Sequence, residues 1–257
     1  MIKYLCSPRY FYSMLKVLKT PISLSSILAF ILGLYWVFYL TPMDAVQGYT
    51  YRILYIHVPA AICSLAIYSA MALLSLIFLI WPLKIADMLC TKLAVLGLVF
   101  TLLVLITGSL WGRPMWGTWW IWDARLTSEL LLACIYTAYI VLRQSLINHP
   151  KQAQICAVFA CIGFLDLPVI HYSVIWWNTL HQGPSLLKLG WPSIHTSMLW
   201  PLIVMIIAFS LYCIAVLILA CLNHQMEQRH HNRSQRVPLD WGWHFPIHLH
   251  HDRLGKG

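Results

Sequence analysis

Residues 93–125 read LAVLGLVFTLLVLITGSLWGRPMWGTWWIWDAR, and they decide what kind of fold this chain adopts. The first part, 93–111, carries no charged side chain. It has about the length that an α-helix needs to cross the hydrocarbon layer of a membrane, roughly 20 apolar residues. The second part turns to tryptophan, glycine and charged residues, as expected where a chain reaches the membrane–water interface. The stretch therefore predicts a transmembrane helix followed by a tryptophan-rich loop at 111–125.

Five further stretches are also mostly apolar. One of them has Glu129 near its start and Arg143 near its end, where both side chains are expected to reach the membrane interface. Of the 257 residues, 60% are hydrophobic and only 10% are charged, which is too apolar for a soluble surface. We predict an all-α integral membrane protein, a bundle of six transmembrane helices. The spans are expected at about 22–41, 58–81, 93–111, 127–147, 154–172 and 198–222. They form one membrane domain, 1–222, followed by a histidine-rich tail, 223–257. The first twenty residues lack the apolar core of a cleavable signal peptide.

The 17 lysine and arginine residues predict the orientation of these spans. With the N-terminus inside, only Arg52, Arg113, Arg125 and Lys188 fall in outer loops, and the other thirteen fall on the inner side. The positive-inside rule then places both termini in the cytoplasm and the outer loops at 42–57, 112–126 and 173–197. Because the basic residues are scattered between apolar segments, the net charge of +9 does not indicate nucleic-acid binding.

None of the eight cysteines lies in a predicted outer loop, and the sequence has no Cys-x-x-Cys-His motif. A thiol–disulfide enzyme would need cysteines on the oxidising side of the membrane. The sequence therefore argues against thiol chemistry and against covalently attached haem.

Tryptophan is concentrated in the predicted loop at 111–125. Five of the thirteen tryptophans lie there: Trp111, Trp116, Trp119, Trp120 and Trp122. Tryptophans at a membrane surface usually form an interfacial belt. Here Gly112, Pro114 and Gly117 oppose helix formation, so the loop is expected to have a shape of its own. A broad apolar platform on a wet surface predicts a binding site for a large, flat ligand.

Charged residues border this platform. Arg113, Asp123 and Arg125 lie in the loop, and Arg52 lies just before the second span. The planar fork of arginine matches a carboxylate, although an interfacial arginine equally often anchors lipid phosphates. Haem, which is flat and carries two propionates, is a ligand that would suit such a site.

Four histidines can reach the predicted outer side. His57, in YIHVPAA, precedes the platform, and His181, in WWNTLHQG, follows it, so the two could be axial ligands of a haem iron. We expect His171 to have a structural or supporting role and His195 to lie near the lipid headgroups. The tail histidines stand beside no cysteine or acidic cluster, so no metal site is assigned there. Asp166, costly in lipid, should face the bundle interior and be paired.

These motifs resemble a known family. The run WGRPMWGTWWIWDARLTSELLL is similar to the signature of the tryptophan-rich haem-handling proteins, and it is closest to the haem exporter protein C (CcmC) family. YRILYIHVPAAI and LPVIHYSVIWWNTLHQGPS resemble the flanking motifs, so that the resemblance covers roughly residues 48 to 200. It implies six spans in the bacterial inner membrane with both termini cytoplasmic. It also implies haem b held as cargo at the periplasmic face by the tryptophan-rich loop, with His57 and His181 on the iron.

The resemblance further implies partners. Members present haem to a membrane-anchored periplasmic haem chaperone, with the help of a small single-span accessory protein. An ATP-binding cassette complex then releases the loaded chaperone. The sequence has no glycine-rich phosphate loop, so any use of ATP would belong to those partners. Two departures are a long histidine-rich tail and Asp166, where a neutral amide is expected.

We therefore predict a haem-presenting scaffold and not an enzyme, one that works by orienting its cargo. The main alternative is a transporter that moves haem through its own bundle, which would need a polar path where the spans offer little beyond Asp166. A membrane cytochrome would carry histidine pairs within its spans, where only His171 comes close. A scaffold that binds no haem would show no change in its visible spectrum after substitution of His57 or His181.

Overall fold

The structure is a computed structural model that describes residues 7–181 and 194–234, with side chains described through 230. The regular secondary structure in these ranges is helical, and no β-strand is found in them. The helices are α1 (Pro8–Tyr35), α2 (Leu54–Ile80), α3 (Lys84–Trp116), α4 (Ala124–Ser145), α5 (Gln152–Gly163), α6 (Asp166–Trp176) and α7 (Thr196–Ser234). A π-helical turn, Trp36–Leu40, extends α1, and a 3-10 helix, Tyr49–Ile53, leads into α2.

Six helical segments are long and apolar enough to cross a membrane, which confirms the predicted all-α, six-span fold. The segment that contains α5 and α6, Gln152–Trp176, counts as one of these spans. Helix α2 packs mainly against α3, and α1 packs mainly against α7. Large aromatic side chains fill the core, and Tyr68 and Tyr136 meet edge to face with their ring centroids 5.0 Å apart.

The first and last helices are longer than predicted. Helix α1 begins at Pro8, although its span was expected from about 22, and proline is well suited to the first turn of a helix. Tyr12 and Leu15, in this additional part of α1, are buried against Ile218 and Cys221 of α7. Helix α7 continues to Ser234, so the predicted tail begins inside a helix. Residues 235–257 lie outside the described residues.

The fifth span is broken at Phe164–Leu165, where a single helix was expected. Asp166 opens α6 and is buried, as predicted. The expected pairing is not seen at its Oδ2 atom, which has no hydrogen-bond partner among the described residues. Beside the break, a Cβ atom on Gly163 would overlap the Tyr68 hydroxyl, so the backbone of α5 lies directly against α2.

The tryptophan-rich segment is partly helical, which corrects the expectation that Gly112 and Pro114 break the helix. Helix α3 continues through both residues to Trp116. It ends at Gly117, which has a φ of 78° and donates its N–H to the carbonyl of Arg113 at 3.0 Å. A left-handed glycine is a common helix ending, and Pro114, so near that ending, removes only one helical hydrogen bond.

After Gly117 the chain runs without helix to Asp123, which caps α4 by accepting the N–H of Leu126 at 2.8 Å. We call the end of the bundle formed by residues 41–53, 117–123 and 177–181 the loop end. A hydrogen bond from Trp111 to Gln47 holds the first segment against α3, and the contact between Asp123 and His181 joins the other two segments.

Candidate functional site

His57 lies in the first turn of α2 and is held against α3. Its Nδ1 atom is 3.0 Å from the hydroxyl oxygen of Thr107. Its ring meets the Trp111 indole at an angle of 74°, with the centroids 5.8 Å apart. Gly108 lets the ring come close, because a Cβ atom there would lie only 3.2 Å from Cε1 of His57. Three residues in two consecutive turns of α3 therefore position one imidazole.

His181 approaches the same region from the segment that follows α6. Its Nδ1 atom lies 3.4 Å from Oδ2 of Asp123, and its ring centroid lies 4.8 Å from that of Trp116. Burial lowers the pKa of His181 below its ordinary value of 6.5, and Arg125 lowers it further, while the negative charge of Asp123 opposes the shift. The net effect favours the neutral imidazole, which is the form that binds metals.

Both histidines line one cavity of about 460 Å³ at the loop end. Its volume falls in the range of ligand sites in proteins, roughly 300–1,000 Å³. The wall is mostly apolar, with a few polar groups that could orient a ligand: Gln47, Ser69, Arg125 and His171. The main apolar contributors are Leu54, Val58, Ala61, Ile62, Leu65, Trp111, Met115, Trp116 and Leu180.

The structure divides the predicted platform into separate groups. Trp111 and Trp116 line the large cavity with the two histidines. Trp119 and Trp122 do not line it, and they are 54% and 74% exposed. Trp120 lines a smaller adjoining cavity of about 30 Å³. The five indoles therefore form part of a cavity wall and a separate exposed surface.

The predicted charged residues also separate. Arg125 lines both cavities and donates a hydrogen bond to the carbonyl of Ile170 at 2.8 Å. Asp123 lies behind His181, where it both contacts the imidazole and caps α4. Arg52 lies elsewhere at the loop end, over the Tyr49 ring at 4.5 Å, and bonds to the carbonyl of Phe38. Arg113 stands over the Trp119 ring, 5.7 Å from its centroid.

A second buried group near the histidines corrects an expectation. Glu129 was expected to reach the membrane interface, but it is only 6% exposed, lines the small cavity and accepts a hydrogen bond from Ser64 at 3.2 Å. The indole N–H of Trp120, in the same cavity wall, has no partner among the described residues. A small cavity that is lined in part by Glu129 and Arg125 therefore adjoins the histidines.

Among the residues not predicted from the sequence, Thr107, Gly108 and Gln47 contact predicted members of the site. Thr107 precedes Trp111 by four residues, which is one helical turn, so the two share a side of α3. This spacing identifies Thr107 only when the helix is known to continue past Trp111. His195, by contrast, is exposed and bonds to Ser197 at the start of α7.

Comparison with known proteins shows which family the sequence resembles. The family model described as CcmC, Heme exporter protein C, matches residues 1–236. The chain is 46% identical over 164 residues to the Heme exporter protein C of Escherichia coli (strain K12), which covers 64% of this chain and 67% of that protein. It is 39% identical over 225 residues to the Heme exporter protein C of Bradyrhizobium diazoefficiens, covering 88% and 85% of the two chains.

The similarity extends to a plant protein. A putative cytochrome c biosynthesis ccmC-like mitochondrial protein of Marchantia polymorpha is 43% identical over 178 residues, or 69% of this chain and 75% of that one. The matches include curated relatives well above 30% identity, and the family model covers most of the chain. The motifs at 48–200 that suggested the resemblance lie within the matched region. The chain belongs to the haem exporter protein C (CcmC) family.

Proposed function

We propose that this protein binds haem b as cargo in the cavity between His57 and His181 and presents it to a periplasmic haem chaperone. Membership of the family implies a role in haem handling for cytochrome c maturation. The observation that carries the finer proposal is that two histidines, far apart in the sequence, line one apolar cavity.

The residues of the cavity fit haem as a ligand. Haem iron takes axial imidazoles, and His57 and His181 each have one ring nitrogen in contact with a supporting group, which leaves the other for iron. Trp111 and Trp116 supply apolar walls for a porphyrin. Arg125 is the charged wall residue that suits a propionate.

In this proposal, the protein acts by holding haem in a defined position and orientation. It holds the iron, leaves one edge of the haem open at the loop end, and performs no chemical step of its own. The positive-inside charge distribution supports placing the loop end on the periplasmic side of the inner membrane. ATP use would then belong to an associated ATP-binding cassette complex, and a small single-span protein would assist the hand-over.

The exposed pair Trp119 and Trp122 would serve the hand-over and not haem retention. Both side chains lie outside the large cavity and are mostly exposed. Exposed aromatic residues at the rim of a ligand site are suited to contacts with another protein. In this proposal, haem retention and the hand-over to the chaperone depend on different tryptophans of the tryptophan-rich segment.

Purification in mild detergent from haem-replete cells tests the binding proposal. The wild-type protein should carry a Soret band, and the band should weaken or shift in His57→Ala and in His181→Ala. His195→Ala is the matched control, because that imidazole is exposed and contacts Ser197. A wild type without the band would refute the proposal, as would retention of a normal band in both histidine variants.

The hand-over is tested separately with Trp119→Ala and Trp122→Ala. We expect these variants to keep the wild-type Soret band and to load less haem onto the chaperone. Unchanged loading in both would show that the two indoles serve only as an interfacial belt.

A further inference from the structure

We propose that Thr107 is a positioning residue that fixes the tautomer of His57, so that Nε2 of His57 is the atom that binds the haem iron. This inference rests on the proposed function, because it assigns the chemistry of one proposed ligand. Thr107 lies on a different helix from His57, and its hydroxyl meets the imidazole within the bundle.

The hydroxyl of Thr107 already donates its proton to a backbone carbonyl of its own helix. Its oxygen lies 2.7 Å from the carbonyl oxygen of Leu103, four residues earlier in α3, and 3.3 Å from that of Val104. Threonine in a helix commonly donates to the carbonyl of the preceding turn. Because a hydroxyl carries a single proton, the Thr107 oxygen presents only lone pairs to His57.

The contact with His57 therefore has one direction. Nδ1 of His57 lies 3.0 Å from the Thr107 oxygen, so Nδ1 carries the proton and donates it. A neutral imidazole has one N–H, so Nε2 of His57 keeps its lone pair. Ring nitrogens that bind metals usually have the other N–H donated to a fixed acceptor, which sets the tautomer and strengthens the ligand.

The second histidine shows the same arrangement with a different acceptor. Nδ1 of His181 faces Oδ2 of Asp123 at 3.4 Å, and an ionised carboxylate only accepts. In both imidazoles, Nδ1 thus donates a hydrogen bond to a neighbouring oxygen. The two hydrogen bonds differ in strength, because Thr107 offers a neutral acceptor to His57 and Asp123 offers a charged acceptor to His181.

Around His57 the remaining contacts restrict the ring. Trp111, one turn beyond Thr107, meets the ring edge to face, and Gly108 provides the space that the ring occupies. A 180° flip of the ring would place a carbon where Nδ1 now donates to Thr107. The hydrogen bond therefore selects the ring orientation as well as the tautomer.

The test compares Thr107→Val with Thr107→Ser in full-length protein purified with haem. Valine keeps the shape but removes the acceptor, and serine restores it. We expect Thr107→Val to bind haem about 10–100-fold more weakly, the usual effect of removing such a support. Its haem reduction potential should rise, because a less electron-rich imidazole stabilises Fe(III) less. Thr107→Ser should behave as the wild type in both measurements.

The matched control is Thr101→Val. Thr101 is fully buried in the same helix and donates to the carbonyl of Gly97 at 2.9 Å, as Thr107 does to Leu103, but it contacts no histidine. We expect this variant to keep the affinity and the potential of the wild type. Thr107→Ala, which also lacks the hydroxyl, replaces Thr107→Val if that variant does not fold.

The outcomes separate this inference from the proposed function. If the wild type holds no haem, the proposed function fails first. If His57→Ala loses haem while Thr107→Val matches Thr101→Val in affinity and potential, only the role of Thr107 is refuted. A Thr107→Ser variant as defective as Thr107→Val would likewise overturn the inference, because it would show that the acceptor is not what matters.

Discussion

At the residue scale, His181 experiences opposing influences on its protonation. Burial and Arg125 lower its pKa below 6.5, and Asp123 acts in the other direction. Only the neutral imidazole binds iron, so protons compete with haem as the pH falls through the lowered pKa. We expect haem affinity to stay constant from pH 7 down to pH 6.5 and to fall at lower pH. Haem titrations at a series of pH values, followed at the Soret band, measure this.

Substitution of Asp123 tests the sign of this dependence. Asp123→Asn removes the negative charge that raises the pKa of His181, while asparagine remains a good cap for α4. The inflection of haem affinity against pH should therefore move to lower pH. Glu227→Gln, at an exposed site on α7, should leave the inflection in place. A shift of the inflection to higher pH in Asp123→Asn would contradict the assignment.

Gly108 sets how closely His57 can approach α3. A Cβ atom at this position would lie 3.2 Å from Cε1 and 3.7 Å from Nδ1 of His57, so the ring must move by a few tenths of an ångström. We expect Gly108→Ala to retain less haem per protein than the wild type, because the ligand geometry is disturbed. The neighbouring Ser109→Ala is the control. Full haem content in Gly108→Ala would show that the ring has room to adjust.

The sequence allowed only some of these residues to be predicted. His57 and His181 stood out because rare polar residues flanked a cluster of indoles. Thr107 did not, since a threonine inside an apolar run is ordinary, and only the crossing of α2 and α3 brings it to His57. Glu129 was misplaced for a related reason, because its position near the start of a span does not show that the span's polar side faces the bundle.

At the element scale, the end of α3 shows where local rules failed. Gly112 and Pro114 were expected to end the helix, yet it runs on to Trp116. Contacts of Trp111 with His57 and Gln47, and of Trp116 with His181, stabilise this last part. Intrinsic propensity is a weak guide when tertiary contacts of this kind hold the chain.

Helix α3 ends at Gly117 and not at Gly112 or Pro114. Its φ of 78° is left-handed, and a Cβ atom there would meet nothing within 4 Å, so the cost of a side chain is purely conformational. We expect Gly117→Ala to destabilise the protein by about 1 kcal/mol, as a left-handed L-residue does. Gly117→Asn should cost less, because asparagine tolerates this conformation. Thermal unfolding in detergent measures both, and equal effects would argue against a conformational cause.

At the scale of the whole molecule, hydropathy predicted the six spans correctly. It did not predict the additional turns of α1 and α7, or the break between α5 and α6. The additional turns are stabilised by packing, such as that of Tyr12 against Ile218 and Cys221, which a hydropathy window does not record. Beside the break, Gly163 is in close contact with Tyr68, another pairing between distant residues that hydropathy does not record.

Close helix packing leaves no room for a side chain at Gly97, and this can be tested. A Cβ atom there would overlap the fully buried ring of Tyr136, whose hydroxyl donates to the carbonyl of Ser64 at 3.0 Å. We expect Gly97→Ala to lower the free energy of unfolding by about 1–3 kcal/mol, the usual cost of overpacking. Gly33→Ala is the control, since its nearest neighbour is the adaptable thioether of Met205. Equal thermal stability of the two variants would contradict this account.

The orientation of the bundle decides whether the cavity serves periplasmic haem delivery. The segments 117–123 and 146–151 lie at opposite ends of the single span formed by α4. Of the 17 basic residues, thirteen lie on the side of the second segment and only four lie on the side of the first, by the predicted spans. We therefore expect the second segment to be cytoplasmic and the first to be periplasmic.

Fusions of a reporter enzyme that needs disulfides to fold test this arrangement, because disulfides form in the periplasm and not in the cytoplasm. A fusion after Ile121 should be active, and one after His149 should be inactive. A fluorescent reporter that folds in the cytoplasm should give the opposite pattern at the same two positions. If both reporters reversed, the loop end and its histidines would face the cytoplasm. The cavity would then be suited to receiving haem from inside the cell, and the proposed hand-over to a periplasmic chaperone would fail.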